Sequence, residues 1–440
     1  MDRAAVVIGA GISGTLTGHR LAQAGWRVTL LEARHVGAGS SSRTAAGIRA
    51  QFSTPETVLG MRYSVATYLH FPELVGGSQV PIVQSGYLFL LAEDLEPARQ
   101  RVAMQRSLGL TDVELLLPDE VARRFPWVDP GAVTGATWCP SDGFLRPEII
   151  YNEAADALKR LGGRVVQNAP VEAARGGERL SEVYAAGTWH GADLFVDATN
   201  AWSPRLARIL GAAELPVAPL KRYLWFLSRG DGMSASELLS MPLVVAPSGA
   251  YCRPENGDSL LMGHAHDVAP EPNFSYEDQD RVDADFSHRS GPESRAFETW
   301  LSLAERMPAL GDFAGISATT SGFYGSTPDH NPFLGYDLLR PNLLARAGRL
   351  CAVIDFGGAG AGDPAADVIP AWSVFTAPGR AAFRRALAVA DGVWERARGY
   401  ALHQALLIIP YYARSNPAFT ALACRTVAEV LADLAGTQSA

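Results

Sequence analysis

The amino-acid pattern predicts an α/β protein in which a mostly parallel sheet is joined by a second, mainly antiparallel sheet along a chain of 440 residues. Three observations carry that expectation. The chain opens on an apolar strand, Ala4-Ala5-Val6-Val7-Ile8, which runs into the turn Gly9-Ala10-Gly11-Ile12-Ser13-Gly14 and then a helical stretch. A second buried-strand pattern, Ala192 to Ala198, ends in small residues at a helix start, as strands of a parallel sheet do. Strand-rich sequence returns from Leu220 to Gly263, the mark of a second sheet.

Taken in order, Gly9 lets the chain turn tightly off the first strand, Gly11 lets backbone approach a diphosphate, and Gly14 lets the helix pack closely on the sheet. The helix Ser13 to Ala24 stops at Gly25, a left-handed cap, and the strand Arg27 to Leu31 delivers Glu32 where a carboxylate meets ribose hydroxyls. Strand, glycine turn, helix, strand and acid together spell a Rossmann-like dinucleotide-binding crossover, with Gly9, Gly11, Ile12, Ser13, Gly14, Glu32, Ala33 and Arg34 as contacts. Gly37 to Phe52 is too polar for core and reads as a loop and helix start over the cofactor, with Ser42, Arg43, Thr44, Ala46 and Gly47 as further contacts. Helical spacing from Thr57 to Phe71 leads to a strand from Val83 to Leu91 and a charged helix near Leu95 to Leu108. The helix Ile149 to Leu161 then precedes strands at Gly163 to Val166 and Ser181 to Ala185. A second close approach to the nucleotide is expected at Val171, Ala198, Thr199 and Trp202.

Composition narrows the function classes. The net charge is −8 and basic residues do not gather into runs longer than two, so nucleic acid and anionic membrane surfaces are not expected partners. Cys139, Cys252, Cys351 and Cys424 are far apart and show no metal-ligand spacing, so no metal is expected and the thiols should be reduced. No signal peptide fits, and no apolar run reaches the ~18 residues of a membrane span. A cytoplasmic protein is the expectation. Lys159 and Lys221 are the only lysines.

Five separated segments then carry a resemblance: GAGISG with Glu32, SSRTAAGIRAQF, DATNAWS, YCRPENGDSLLMG and GFYGSTPDHNPFLG. Over about residues 1–335 they resemble the FAD-dependent amine oxidoreductases of the D-amino-acid oxidase superfamily, near the sarcosine oxidase, dimethylglycine dehydrogenase and proline dehydrogenase β-subunit types. The resemblance implies an FAD-binding domain from segments 1–85 and 146–215, and a substrate domain from 86–145 and 216–335. It implies oxidation of the C–N bond of an amino acid or N-alkyl amino acid, by hydride transfer to flavin N5. Arg49 matches the family arginine that holds the substrate carboxylate, a task suited to a guanidinium fork. Arg43 reads as a phosphate or structural contact. Tyr251 on a hairpin and His264, alternating with His266 on one strand, are the other catalytic candidates. No histidine or cysteine stands near Arg43 where some relatives attach flavin, so FAD should be non-covalent. No lysine stands in the closing segment, which favours a dehydrogenase over an oxidase, with the electron acceptor, oxygen or a carrier, left open.

After Gly335 the character changes. Asp337-Leu338-Leu339-Arg340-Pro341-Asn342, the run to Asp355-Phe356-Gly357-Gly358, and GDPAADVIPAW resemble the C-terminal lobe of aminoglycoside phosphotransferases over residues 336–440. That resemblance implies a helical tail, with Asp337 as proton acceptor and Asn342 and Asp355 on magnesium. The ATP-covering loop and phosphate-holding lysine of a kinase have no counterpart. Leu350 to Ile354 with the glycines after Phe356 is also strand, turn and helix, expected at the vacant edge of the nucleotide sheet with Gly357 and Gly358 on the flavin. Two rival readings remain: a flavin-binding protein impaired by its tail, and a phosphotransferase relic.

Overall fold

A computed structural model describes residues 3–437 apart from 177–179, 212–216, 265–278, 312–313, 328–342, 347–348, 354–364, 366–367, 388–389 and 413–416. From the N-terminus, β1 (Ala4–Ile8) and β2 (Arg27–Leu31) flank the helix Ile12–Gln23. A loop with a 3-10 turn at Ser40–Ser42 leads to β3 (Gly47–Ile48), helices Pro55–Leu69 and Phe71–Val75, β4 (Ile82–Val83) and β5 (Tyr87–Leu91). Helix Glu96–Ser107, β6 (Glu114–Leu116), β7 (Gly135–Cys139) and β8 (Gly143–Leu145) precede the helix Pro147–Arg160. Next come β9 (Arg164–Val166), β10 (Val171–Gly176), β11 (Leu180–Ala185), β12 (Thr188–Gly191), β13 (Leu194–Asp197) and the helix Ser203–Leu210. The chain continues through β14 (Ala218–Ser228), β15 (Leu243–Val245), β16 (Ala250–Asn256), β17 (Ser259–His264), helix Arg295–Ala304, β18 (Ile316–Ser326), β19 (Leu343–Arg346) and β20 (Arg349–Val353).

All five residues of β1 are buried, because it lies inside the parallel order β13-β1-β2-β9 with layers on both faces. Ala5 and Val7 face Leu158 of the helix Pro147–Arg160, while Val6 and Ile8 face Val183 and Leu206 on the other side. The antiparallel ribbon β10-β11-β12 supplies that second layer. Gly18 has a packing reason: a Cβ there would stand 3.1 Å from Leu158.

A mixed eight-stranded sheet, ordered β18-β14-β17-β16-β15-β5-β7-β6, takes its strands from residues 87–139 and 218–326. Its faces alternate as the period of two requires. Leu88, Leu90, Trp225, Cys252, Leu260 and Met262 pack on one side, joined by Leu303 of the helix Arg295–Ala304. Tyr87, Phe89, Leu243, Val245 and Tyr251 pack on the opposite side with Phe144.

Two local expectations are corrected. The strand expected from Val83 to Leu91 is broken into β4 and β5 at Gly86, whose φ of +87° and contact with the Trp138 ring admit no side chain. The helix start expected within residues 37–52 is a three-residue 3-10 turn followed by β3, which pairs with β8.

In the tail, β19 and β20 form an antiparallel hairpin, and β20 lies alongside β13, the edge of the parallel sheet. Helices Pro370–Ser373, Ala377–Leu387, Asp391–Tyr412 and Pro417–Thr437 follow, with a core of their own around Trp372, Trp394, Ala397, Ala401 and Val430. Trp372 Nε1 donates to Asp433 at 3.1 Å, and Arg380, 4% exposed, meets Glu429 at 2.9 Å. Asp337, Asn342, Asp355, Gly357 and Gly358 lie outside the described residues. Among the described residues no helix is long and apolar enough to cross a membrane, and no group of side chains is arranged to hold a metal.

Candidate cofactor groove and substrate face

The turn after β1 is built by close approach. Gly9 has φ +101°, and a Cβ on it would lie 2.7 Å from the Ala198 carbonyl oxygen; one on Gly14 would lie 1.8 Å from that of Gly9. Gly11 clears space for a neighbour the sequence did not indicate. A Cβ there would stand 2.8 Å from Ser41 Oγ, and that hydroxyl accepts the Ile12 amide at 3.0 Å. The amides of Ser13 and Gly14 remain at the open end of the helix, where its dipole favours an anion. Glu32 is pinned by the amides of Ala10 at 2.7 Å and Arg34 at 3.0 Å.

These groups line one cavity of about 830 Å³. Gly9, Gly11, Ile12, Ser13, Glu32, Ala33, Arg34, Val171, Ala198, Thr199 and Trp202 are all on its wall, as the sequence reading placed them. The volume and the donor set fit an adenine dinucleotide: a carboxylate for ribose hydroxyls, helix amides for the diphosphate, and apolar walls from Val171 and Leu206. Asp197, half-buried at the end of β13, organises the far wall by accepting Thr199 N at 2.8 Å and Thr199 Oγ1 at 2.6 Å, together with the Ser203 hydroxyl. Burial pushes its carboxyl above the ordinary range against those bonds.

Gly14, Ser42, Arg43, Thr44, Ala46 and Gly47 do not line that cavity. Gly14 acts by helix packing. Arg43 spends its guanidinium on the Ser321 carbonyl at 3.1 Å and on Asp280, so the structural alternative describes its contacts. Gly47 lies against the rings of the other face, 3.1 Å from Tyr87 for an added Cβ. Among the lining residues that sequence reasoning missed are Ser40, Ser41, Gln279 and Asp280. Asp280 bridges Arg34 at 3.1 Å and Arg43, and Gln279 Nε2 donates to the Ala38 carbonyl at 3.1 Å. Burial raises the Asp280 carboxyl, but Arg43 and Arg34 outweigh it and hold the group below its usual range. No local pattern could have announced these two residues, whose partners Ala38 and Arg34 stand more than two hundred positions earlier in the chain.

The loop that walls the groove at Ala38 to Ser41 continues to the free face of the large sheet and there delivers Arg49. The guanidinium stands 4.5 Å over Phe52, 5.0 Å over Phe89 and 5.3 Å over Tyr87, and donates to the Tyr87 hydroxyl at 3.2 Å. Its Nε is buried and has no partner among the described residues. Asp142, fully buried, holds the loop in place by accepting Ala50 N at 2.7 Å and Gln51 Nε2 at 3.2 Å. Burial pushes its carboxyl up to about 6, opposed by those bonds and by the charge of Arg49.

Of the three catalytic candidates, the structure brings two together. Tyr251 shares the Arg49 face with Tyr87, its hydroxyl raised by burial and by the neighbouring Tyr324 and Tyr87 hydroxyls. His264 is corrected. It follows Gly263, which pairs with Tyr251, so strand alternation turns it to the opposite face with Leu260 and Met262. β17 is also an interior strand rather than an edge, and His266 lies outside the described residues.

Comparison with known proteins agrees with this geometry. Residues 4–362 match the family described as FAD dependent oxidoreductase (DAO). FAD-dependent oxidoreductase domain-containing protein 1 of Bos taurus is 27% identical over 392 residues, 78% of this chain and 76% of its own length. The structure of L-proline dehydrogenase from P.horikoshii superposes with a TM-score of 0.66 at 25% identity, covering 82% of this chain and 88% of that one. Glycine oxidase from Geobacillus kaustophilus shares the fold at a TM-score of 0.65 and 23% identity, over 81% and 90%. The family match crosses the boundary drawn at residue 335 and takes in β20 and the glycines after Phe356. Nothing in these comparisons supports a phosphotransferase lobe. The strand, turn and helix read as kinase-derived therefore belongs, as far as residue 362, to the flavoprotein. Groove, sheet and matched residues together make this chain an FAD-dependent oxidoreductase of the DAO family.

Proposed function

We propose that the enzyme oxidises the C–N bond of an amino acid or N-alkyl amino acid whose carboxylate Arg49 holds. The supporting observation is the state of that guanidinium: stacked among three rings, bonded once to Tyr87, with a buried Nε left unfilled. A buried cationic donor without a partner is costly, and a substrate carboxylate removes that cost while fixing the substrate's orientation. FAD, when bound, supplies the two-electron acceptor for loss of hydride from the carbon beside nitrogen, leaving an imine for water to hydrolyse. Glu32 and Ser13 hold the cofactor without a covalent link, segments 1–85 and 146–215 carry it, and segments 86–145 and 216–335 carry the substrate face. Tyr87 and Tyr251, whose hydroxyls burial pushes further above the ordinary tyrosine range, offer O–H donors to the substrate.

A dehydrogenase passing electrons to a carrier is favoured over an oxidase by where the lysines stand. Lys159 pairs with Asp156 on a helix surface, and Lys221, buried beside Asp283, alternates with Arg222 away from the Arg49 face. The test is anaerobic mixing of the flavin-loaded protein with N-methylglycine, proline and glycine while the absorbance near 450 nm is followed. At least one should bleach the band, and Arg49→Leu should cut kcat/KM by about 100-fold, the worth of a charged hydrogen-bond partner. No bleaching by any amino acid, or an Arg49→Leu variant with native kinetics, overturns the reading.

A further inference from the structure

One buried acid is bonded to the backbone beside both members of the Arg49–Tyr87 pair. Asp142 stands between β7 and β8 and is fully buried. Toward the Arg49 loop, its Oδ1 accepts the amide of Ala50, the residue after Arg49, at 2.7 Å, and its Oδ2 accepts Gln51 Nε2 at 3.2 Å. Toward β5, its main-chain carbonyl accepts the amide of Gly86, the residue before Tyr87, at 3.0 Å. Gln51 Nε2 also donates to the Tyr87 carbonyl at 2.9 Å, which closes a ring of bonds around the pair. The side chains so placed meet at 3.2 Å, Arg49 Nη1 to the Tyr87 hydroxyl.

The loop needs such fixing. Ala46, three residues before Arg49, has φ +56°, a left-handed conformation that a Cβ disfavours and that persists only where the surroundings impose it. Leu145 N holds the Ala46 carbonyl at 2.8 Å, and β3 pairs with β8 as far as Ile48. Past that strand the Ala50 amide is held by the Asp142 carboxylate instead of a ladder partner. A carboxylate suits the place because it only accepts, and both groups aimed at it are N–H donors.

We infer that Asp142 is a positioning residue, which sets the Arg49 guanidinium for the substrate carboxylate by tying together the peptide units beside Arg49 and Tyr87. This rests on the reading of Arg49 given above. Being fully buried, Asp142 acts through Arg49 and not on the substrate.

The test compares two ligands that lack an oxidisable amine: (methylthio)acetate, whose charge engages Arg49, and the neutral (methylthio)acetamide. Both are titrated calorimetrically into the full-length, flavin-loaded protein near pH 8, where the Asp142 carboxyl is ionised. Asp142→Asn keeps an acceptor for Ala50 but turns an amide N–H toward Gln51 Nε2, donor against donor. It should weaken (methylthio)acetate about tenfold, the usual effect of losing one hydrogen bond to a charged group, and leave (methylthio)acetamide unchanged. Removing a negative charge would by itself tighten an anion, so weaker binding reports a displaced guanidinium. In an Arg49→Leu background Asp142→Asn should have no further effect on either ligand, a coupling that a merely structural acid would not show. Circular dichroism and the flavin band must match the parent in each variant. If Asp142→Asn does not match, Gln51→Met, which cuts the bonds to Tyr87 and Asp142, carries the same expectations. Parent-like affinity for (methylthio)acetate, equal weakening of both ligands, or additivity with Arg49→Leu overturns the inference and leaves the proposed function standing. If the parent binds the acid no better than the amide, or Arg49→Leu leaves the acid's affinity unchanged, the reading of Arg49 falls and the inference with it.

Discussion

At the scale of single residues, glycines and one buried acid give the sharpest tests. Gly14 has no room for a methyl group, because the Gly9 carbonyl already occupies the position at 1.8 Å. Gly14→Ala should cost about 3 kcal/mol and release flavin, measured by urea denaturation and by cofactor lost on gel filtration. Asp142 titrates near 6 in the folded chain, above an unfolded aspartate. Its stabilising contribution is therefore full below pH about 4 and disappears as pH rises through about 6. Relative to Asp142→Asn, the parent should lose about 3 kcal/mol of unfolding free energy between pH 4 and pH 7. A difference that is flat across that range would mean Asp142 is ionised in the fold like any exposed acid. The contacts of the first crossover were legible in the sequence because every constraint there is local. His264 was misplaced because period-two alternation fixes which residues oppose one another, while the covered side of a sheet depends on distant helices.

At the scale of elements, the loop from Gly37 to Phe52 couples the two halves of the site. It contributes Ala38 to Ser41 to the groove and Arg49 to the substrate face, and it is fixed by β3 pairing with β8 and by Arg253 donating to the Ala45 carbonyl at 2.8 Å. Its sequence announced a polar loop over the cofactor. It could not announce β3, a two-residue strand whose partner comes some ninety positions later. The same limit hid the clasp of Arg34 and Arg43 on Asp280, whose members are joined only by tertiary structure. More than half of the Asp280 side chain is exposed, so the clasp is worth little in water. Asp280→Asn should speed flavin dissociation by about threefold, less so in high salt, as followed by fluorescence of the released cofactor.

For the whole molecule, the first parallel crossover and the presence of a second sheet were readable from periodicity, whereas the helical tail was expected only from the resemblance drawn for residues 336–440. The tail's ancestry was not readable. Strand, glycine turn and helix is a generic unit, and only the family match to residue 362 assigns it to the flavoprotein. Beyond that point the helices bury Trp372 and Trp394 on each other, 4.9 Å between ring centroids. Trp372→Ala should cost this bundle about 3–5 kcal/mol while the 450 nm band keeps its intensity, compared by circular dichroism and absorbance on one heating series. Simultaneous loss of both signals would mean that the helices and the flavin groove unfold as one unit.

The wiring of the parallel sheet also sets a timetable for biosynthesis. β1 finds β2 almost at once, but its other neighbour, β13, is anchored through Ala4 N to Asp193, 189 residues downstream. At ribosomal rates of roughly 5–20 residues per second, the nascent first strand waits about 10–40 s with one side bare. Throughout that interval the nascent polypeptide presents an unpaired apolar edge to its surroundings, and it is there that holding chaperones should engage it.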